Sequence, residues 1–493
     1  FLNEGMILRD RGDQAGALKS FQEAHALRER LAREEPHNRD HQADLATSLD
    51  WIGHTLRRQG SVTGALDAYR KSFDIRQRLA SGAPSEERWQ RELATSCMNI
   101  GDALISSGNL NAARDAYGRS LAIAEQHAER SPADTNWQHD LVTTLISVGD
   151  VLSSQNELDG AKTAFERGLA VQQKLLASDP RNALWQRDLS VCLENVGDIM
   201  DAQGDHSGAR QKYEEALVVH KRLAAQDPSN AVWQGELFVS YTKVGDALVA
   251  QGDTAGALQR FRDGLTLAEA VAEQDPTNSS AQRSLAVALE RVGETLRRQR
   301  DLPEALNYVN RSLTMRRQLA QSDPENAEMQ RDLFVGLILV GDVLMLQPEL
   351  AGAFQHYQEA NLIAQKLSSL DPTNVDWQRD LAEANDKLGQ AFEQRKDAGG
   401  ALPLYRAAVA AYEKLAASEG ADVSDRVNLA ASSFHLARLL KSAKLANSTQ
   451  EANEAAQRAL RVIAELRNDS TSLAKQDAEV VDQVVAEMNV LTP

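Results

Sequence analysis

Few residues in this chain could do covalent or metal chemistry, and they are scattered. The 493 residues hold 2 Cys, Cys97 and Cys192, and 10 His. Two distant cysteines make neither a disulfide framework nor a four-ligand zinc site. Both fall on or beside an apolar helical stripe and read as small core residues. His37 and His41 have the i, i+4 spacing of a metal-binding pair. Asn38 stands between them as a helix cap and no Glu follows His37, so no metal is assigned. No phosphate-binding loop, nucleophile elbow or dinucleotide fingerprint occurs. No catalytic residue and no cofactor is assigned, and the expected role is non-enzymatic. What recurs is a set of carboxylates: Asp102, Asp150, Asp198, Asp246, Glu294 and Asp342, each 48 residues after the last.

The elements that carry this column follow the same step. Pro36, Pro84, Pro132, Pro180, Pro228, Pro276, Pro324 and Pro372 are spaced by 48 residues. A fixed period of that length means a repeat architecture. A glycine column runs without a gap from Gly5 through Gly53 and Gly197 to Gly389, and an alanine column from Ala17 to Ala401. An aromatic column runs from Phe21 to Tyr405, with Val309 as the one substitute. A Trp column holds Trp89, Trp137, Trp185, Trp233 and Trp377, with His41, Ala281 and Met329 in the remaining slots.

The unit 181–228 shows the physics. Asn182 reads as an N-cap. Trp185, Leu189, Leu193, Val196 and Met200 follow at helical steps and form one buried stripe. Gly204 ends that helix and Asp205 opens a second, whose buried face is Ala209, Tyr213, Leu217 and Leu223. Asp227-Pro228 stops it, because Pro lacks an N–H and disfavours helix at the preceding residue. Each helix should run about 20 residues, roughly 30 Å. Nothing alternates with period two, so the fold class is all-α.

Composition excludes several function classes. The net charge of −17 argues against a nucleic-acid binder, which needs a basic face. The mean hydropathy is −0.44, and no window approaches a membrane span. Cysteine usage suits a reducing compartment, so a cytoplasmic location is expected.

The columns Val196-Gly197, Ala209, Tyr213 and Pro228 resemble the tetratricopeptide repeat. The ordinary repeat has about 34 residues. This one is longer by one heptad per helix, which returns each stripe to nearly the same face. Such long repeats resemble those of kinesin light chains and bacterial signalling arrays. The resemblance implies a right-handed α-solenoid superhelix of antiparallel helix pairs. Residues 1–36 are a partial repeat, 37–420 eight repeats, 421–468 a degenerate ninth and 469–493 a capping helix. The natural chain is expected to extend further at its start, because Phe1 falls in mid-helix. Repeats six and seven (277–372) depart most: Ala281 and Met329 replace Trp, and Arg300 and Pro348 replace the loop Gly. Two readings are open there, drift and a joint or docking point.

The resemblance further implies that the first helices line a concave groove, so the carboxylate column would face inward. Two readings are again open: a continuous acidic ladder, or carboxylates tied to neighbouring helices. One turn further on, the residues vary and suit recognition: Val249, Arg297, Arg298, Met345 and Leu346 stand there. Val239, Val287, Val335 and Ile338 should add apolar character. The implied function is a scaffold that captures a protein or peptide with apolar anchors and basic flanks. The alternative is the sensor region of a larger bacterial signalling or effector enzyme of protease-like or TIR-like type. Self-association through the solenoid ends is a third reading. Neither nucleic acid nor membrane is expected as a partner.

Overall fold

Asn and Asp residues start the helices at the positions the repeat prescribes. Asn38, Asp134, Asn182, Asn230, Asn278, Asn326 and Asn374 each accept backbone N–H bonds from the helix they precede. The computed structural model describes residues 1–347, 350–418, 422–443, 448–468 and 475–491. Among the described residues all regular structure is α-helical. Helices α1 (Leu2–Asp10) and α2 (Gln14–Glu34) come first. Eight pairs follow: α3 (Arg39–Arg58) with α4 (Val62–Gly82), α5 (Glu87–Ser106) with α6 (Leu110–Arg130), α7 (Thr135–Ser154) with α8 (Leu158–Ser178), and α9 (Ala183–Ala202) with α10 (His206–Gln226). Then come α11 (Ala231–Gln251) with α12 (Thr254–Gln274), α13 (Ser279–Arg298) with α14 (Leu302–Ser322), α15 (Ala327–Met345) with α16 (Leu350–Leu370), and α17 (Val375–Gln394) with α18 (Ala398–Ala416). Helices α19 (Val423–Ala443), α20 (Ser448–Asn468) and α21 (Lys475–Leu491) end the chain. This is an α-solenoid: consecutive helices pack on each other, and each repeat meets its neighbours.

The turn inside each repeat needs a left-handed residue. Gly12, Gly60, Gly108, Gly204 and Gly252 supply it at φ +74 to +84°. Asn156, Arg300 and Lys396 adopt φ +60, +65 and +60° in the same column. For Arg300 and Lys396 that conformation costs about 1–2 kcal/mol. Pro348, which fills this slot in the seventh repeat, lies outside the described residues.

The glycine column has a different purpose. A Cβ built on Gly149 would lie 2.4 Å from the Phe165 ring, and one on Gly101 would lie 2.3 Å from the Tyr117 ring. The same contact recurs from Gly5 against Phe21 to Gly389 against Tyr405, with Val309 pressing on Gly293. Only a residue without a side chain lets the two helices of a repeat approach this closely.

Successive repeats are joined by polar bonds as well as apolar packing. Gln90 Nε2 donates to the Ala80 carbonyl at 3.2 Å, and Gln138 to Ala128 at 3.0 Å. Gln42, Gln234, Gln282, Gln330 and Gln378 make the same bond, ten residues back. Each glutamine thereby satisfies a carbonyl near the end of the preceding second helix. Gln186 takes the Pro180 carbonyl instead. A second link pairs Arg91 with Asp140 at 2.7 Å, Arg331 with Asp380 at 2.6 Å and Arg379 with Asp425 at 2.7 Å.

The Trp column is less uniformly buried than its periodicity suggests. Trp89 and Trp137 are buried, whereas Trp185, Trp233 and Trp377 are half-buried. Cys97 and Cys192 are buried as core residues. The chain divides into two compact units, Phe1–Leu223 and Ala224–Pro493, with the boundary inside α10.

Two glycine substitutions should act in opposite directions. Gly149→Ala should destabilise the protein by about 1–3 kcal/mol, because the Phe165 ring must move. Gly118→Ala should stabilise it by about 0.5–1 kcal/mol, because nothing lies within 4 Å of its Cβ and helix propensity alone changes. Urea melts followed by circular dichroism would measure both.

Candidate functional site

In the second unit successive first helices lie side by side, and in the first unit α7 and α9 do so. Helix α7 touches α9, and α11, α13, α15, α17 and α19 touch in succession. Among the described residues, no two successive second helices from α2 to α20 make contacts of that extent. The layer with the closer spacing lies on the inside of a curved stack, so the first helices form the inner layer over α7–α9 in the first unit and over α11–α19 in the second. The glycine column lies in those helices, and the carboxylates follow it directly.

The aromatic column decides what each carboxylate meets. A tyrosine ring that crosses its glycine brings a hydroxyl to the next residue. Tyr117 donates to Asp102 at 2.8 Å, Tyr213 to Asp198 at 2.8 Å and Tyr357 to Asp342 at 2.6 Å. In the first full repeat the column holds His54, whose Nδ1 lies 2.9 Å from the Tyr69 hydroxyl. Burial, then the adjacent carboxylate, holds the Tyr117 and Tyr213 phenols well above their usual range, so they remain donors. Phe165 and Phe261 have no hydroxyl to give Asp150 and Asp246.

Cations supply the second set of partners. Arg291 lies 3.4 Å from Asp246, and Lys387 donates to Asp342 at 2.8 Å; both stand two residues before the next glycine. Arg57 approaches Asp102 to 4.0 Å. Glu294 holds two guanidinium groups of its own helix, Arg297 at 2.7 Å and Arg298 at 3.1 Å. The column is therefore not one bare acidic ladder. At Glu294 the pair of arginines reverses the local sign.

Asp150 is the exception. It faces Phe165 rather than a tyrosine, and Asn195 occupies the position that is cationic in α13 and α17. Its surface reaches solvent, yet the flanking helices displace much of the surrounding water. That desolvation, and then Asp198, push its carboxyl up to about 6.

The variable positions fall into two groups. Val249 and Met345 are half-buried, and Leu346 is exposed at the end of α15. Arg297 and Arg298 are engaged by Glu294, as above. Val239 is exposed and Val287 and Val335 are half-buried, but Ile338 is 6% exposed and belongs to the core, not to an apolar lining. One polar cluster escaped the sequence reading. In α17, Lys387 reaches Asp342, Asp386 lies 3.1 Å from His435 Nδ1, and burial pushes the Glu383 carboxyl up to about 7. The i, i+3, i+4 spacing of Glu383, Asp386 and Lys387 was its visible signal.

The other reactive groups are quiet. Burial pushes the Cys97 and Cys192 thiols up to about 11 and about 12, so neither is a thiolate near neutrality. Asn38 caps α3 and accepts from His41 N–H, and the His41 ring lies 3.4 Å from Glu35. Among the described residues no group of three or more His, Cys, Asp or Glu is placed to hold a metal ion, and no helix is long and apolar enough to cross a membrane.

Asp150 ionises near 4 in the unfolded chain and about 6 in the folded one. Between those values the folded state binds the extra proton, so the stability this group contributes is lost as pH rises through about 6. Asp150→Asn should raise the Tm near about pH 7.5, with a gain that shrinks toward about pH 4. Thermal melts of both proteins across that range would measure it; an equal gain at every pH would remove the carboxyl as its cause.

Comparison with known proteins fits this architecture. The tetratricopeptide repeat profile matches residues 3–41, 45–82 and 93–134, and a second profile of the same description matches 249–316. No curated protein matches the sequence. The apo form of RapI is 12% identical over 87% of this chain and 100% of that chain, with a TM-score of 0.55. BtubC (BKLC) from P. vanneervenii is 18% identical over 54% of this chain and 93% of that one, with a TM-score of 0.42. The human IFIT1 dimer with m7Gppp-AAAA is 13% identical over 91% and 82%, with a TM-score of 0.40. With two profile matches, and with the glycine, alanine and aromatic columns continuing the same 48-residue step between and beyond them, the chain belongs to the tetratricopeptide repeat family.

Proposed function

We propose that the inner layer of the first unit captures a partner polypeptide through its basic residues, centred on Asp150 and Asp198. Family membership supports the coarser statement, a repeat scaffold for protein interaction. The observation that carries the finer one is the state of Asp150. Its neighbours in the column have a hydroxyl or a cation; among the described residues neither is placed on Asp150, and Asp198 raises its cost of ionisation. A lysine or arginine from a partner would stand where Lys387 stands beside Asp342. It would favour the ionised form and relieve the repulsion.

The apolar part of the contact would come from exposed residues of the same layer. Ile105 is 36% exposed and lies just past Asp102. The net charge of −17 steers basic segments toward the chain and sets the rate of encounter more than the final affinity. Asp102, Asp150, Asp198, Asp246 and Asp342 are thus proposed partner-binding residues of unequal weight, with Asp150 first. Glu294, Arg297 and Arg298 would repel a cation instead.

The test is affinity capture with the whole chain as bait, beside a variant carrying Asp150→Lys and Asp198→Lys. A prey retained at roughly 0.05 M salt should be lost at about 0.5 M, where screening is far stronger. The double variant should retain at least about tenfold less of it, a loss of some 1.4 kcal/mol. Prey indifferent to both salt and charge reversal would overturn the reading.

A further inference from the structure

The Trp column builds the same socket repeatedly. Trp89 shares its apolar cluster with Ile75 and Leu79, and Trp185 shares one with Val171 and Leu175. Trp137 packs with Ile123 nearby and stacks on His127, ring centroids 4.4 Å apart. The indole thus rests on two residues of the preceding second helix, four apart. Over Trp137 lies a lid: the Arg91 guanidinium stands 4.7 Å from the ring and is held by Asp140.

In the sixth repeat the socket is built but unfilled. Leu267 and Val271 stand at the two floor positions, and the slot residue is Ala281. A cavity of about 90 Å³ opens there, lined by Leu267, Ala268, Val271 and Ala281. The lid is missing as well. Gly235 stands where Arg91 stands, and Ser284 where Asp140 stands; both line the cavity. Gly235 is exposed, and a Cβ there would meet nothing within 4 Å, so the mouth is open to solvent. Ring, lid and anchor of the lid are lost together at one slot. The Arg–Asp link resumes at once, with Arg283 on Asp332 at 2.5 Å. His41 and Met329 keep large side chains in the other slots that lack Trp.

We propose that this cavity is a socket for one aromatic side chain, an indole, of a partner polypeptide, which occupies the sixth Trp position in trans. The resident tryptophans define the occupant, because the floor is theirs. The slot tolerates a ring partly in water, since Trp185, Trp233 and Trp377 are half-buried. No charged side chain is among those that line the cavity, so the occupant is an uncharged ring. The socket lies between α11, α12 and α13 of the second unit and does not depend on the Asp150 reading.

The test uses 5-fluoroindole as probe and follows its fluorine resonance with the whole chain. Saturable broadening is expected with the wild type. Ala281→Trp, which fills the slot, should weaken binding at least about tenfold. The variant pair Gly235→Arg and Ser284→Asp, which rebuilds the lid on accessible positions, should do the same and covers the case in which Ala281→Trp fails to fold. No broadening with the wild type up to about 1 mM probe, or broadening undiminished in folded variants, would overturn the proposal. Sedimentation velocity closes the remaining case: a wild-type dimer that Ala281→Trp dissociates would assign the socket to a second copy of the chain and overturn capture of a different partner.

Discussion

A ring pressed onto a glycine is the contact from which the rest of this structure follows. It sets how closely the two helices of a repeat approach, as Phe165 does on Gly149. It also reaches beyond packing. When the ring belongs to a tyrosine, its hydroxyl emerges beside the residue after the glycine and satisfies a carboxylate there. When the ring belongs to phenylalanine, the same packing leaves the carboxylate without that donor. One oxygen atom on that ring thus decides whether the carboxylate beside it has a phenolic donor, with no change in the helices.

Much of the fold was legible because its causes are periodic. Caps, turns, glycines and the aromatic column each recur at a fixed step, so Asn182, Gly204 and Tyr213 could be assigned roles from one unit. The glutamine column is equally periodic, but its partner is a carbonyl of the preceding repeat, which no apolar stripe within one helix reveals. The state of each carboxylate was not legible. It depends on which residue of the next repeat lies opposite, and Arg291 beside Asp246 or Lys387 beside Asp342 is a relation between helices, not within one. Ile338 misled for the same reason: its helix packs on more sides than a single stripe suggests.

Departures from the period carry the individuality of the molecule. Some are absorbed locally, as when Arg300 takes the left-handed turn that glycine takes elsewhere. Others are concerted. Ala281, Gly235 and Ser284 lie on two helices, and each alone would leave a misfit: a lid with no ring, or a guanidinium with no carboxylate. Their joint occurrence removes one complete assembly and leaves its neighbours intact.

The glutamine bond has a consequence for how such a chain can change in length. Gln330 meets Ala320 and Gln378 meets Ser368 across the same ten-residue interval, and Arg283 meets Asp332 as Arg331 meets Asp380. If the 48 residues from 327 to 374 were excised, Arg283 would find Asp380 where Asp332 had been, and Gln378 would follow Ala320 by the interval Gln330 had kept. Duplication of a unit obeys the same rule. Recombination between such units therefore keeps the glutamine bond and the arginine–aspartate link across the joint it cuts, and the number of repeats can be altered by inheritance without a new form of these two contacts having to be invented.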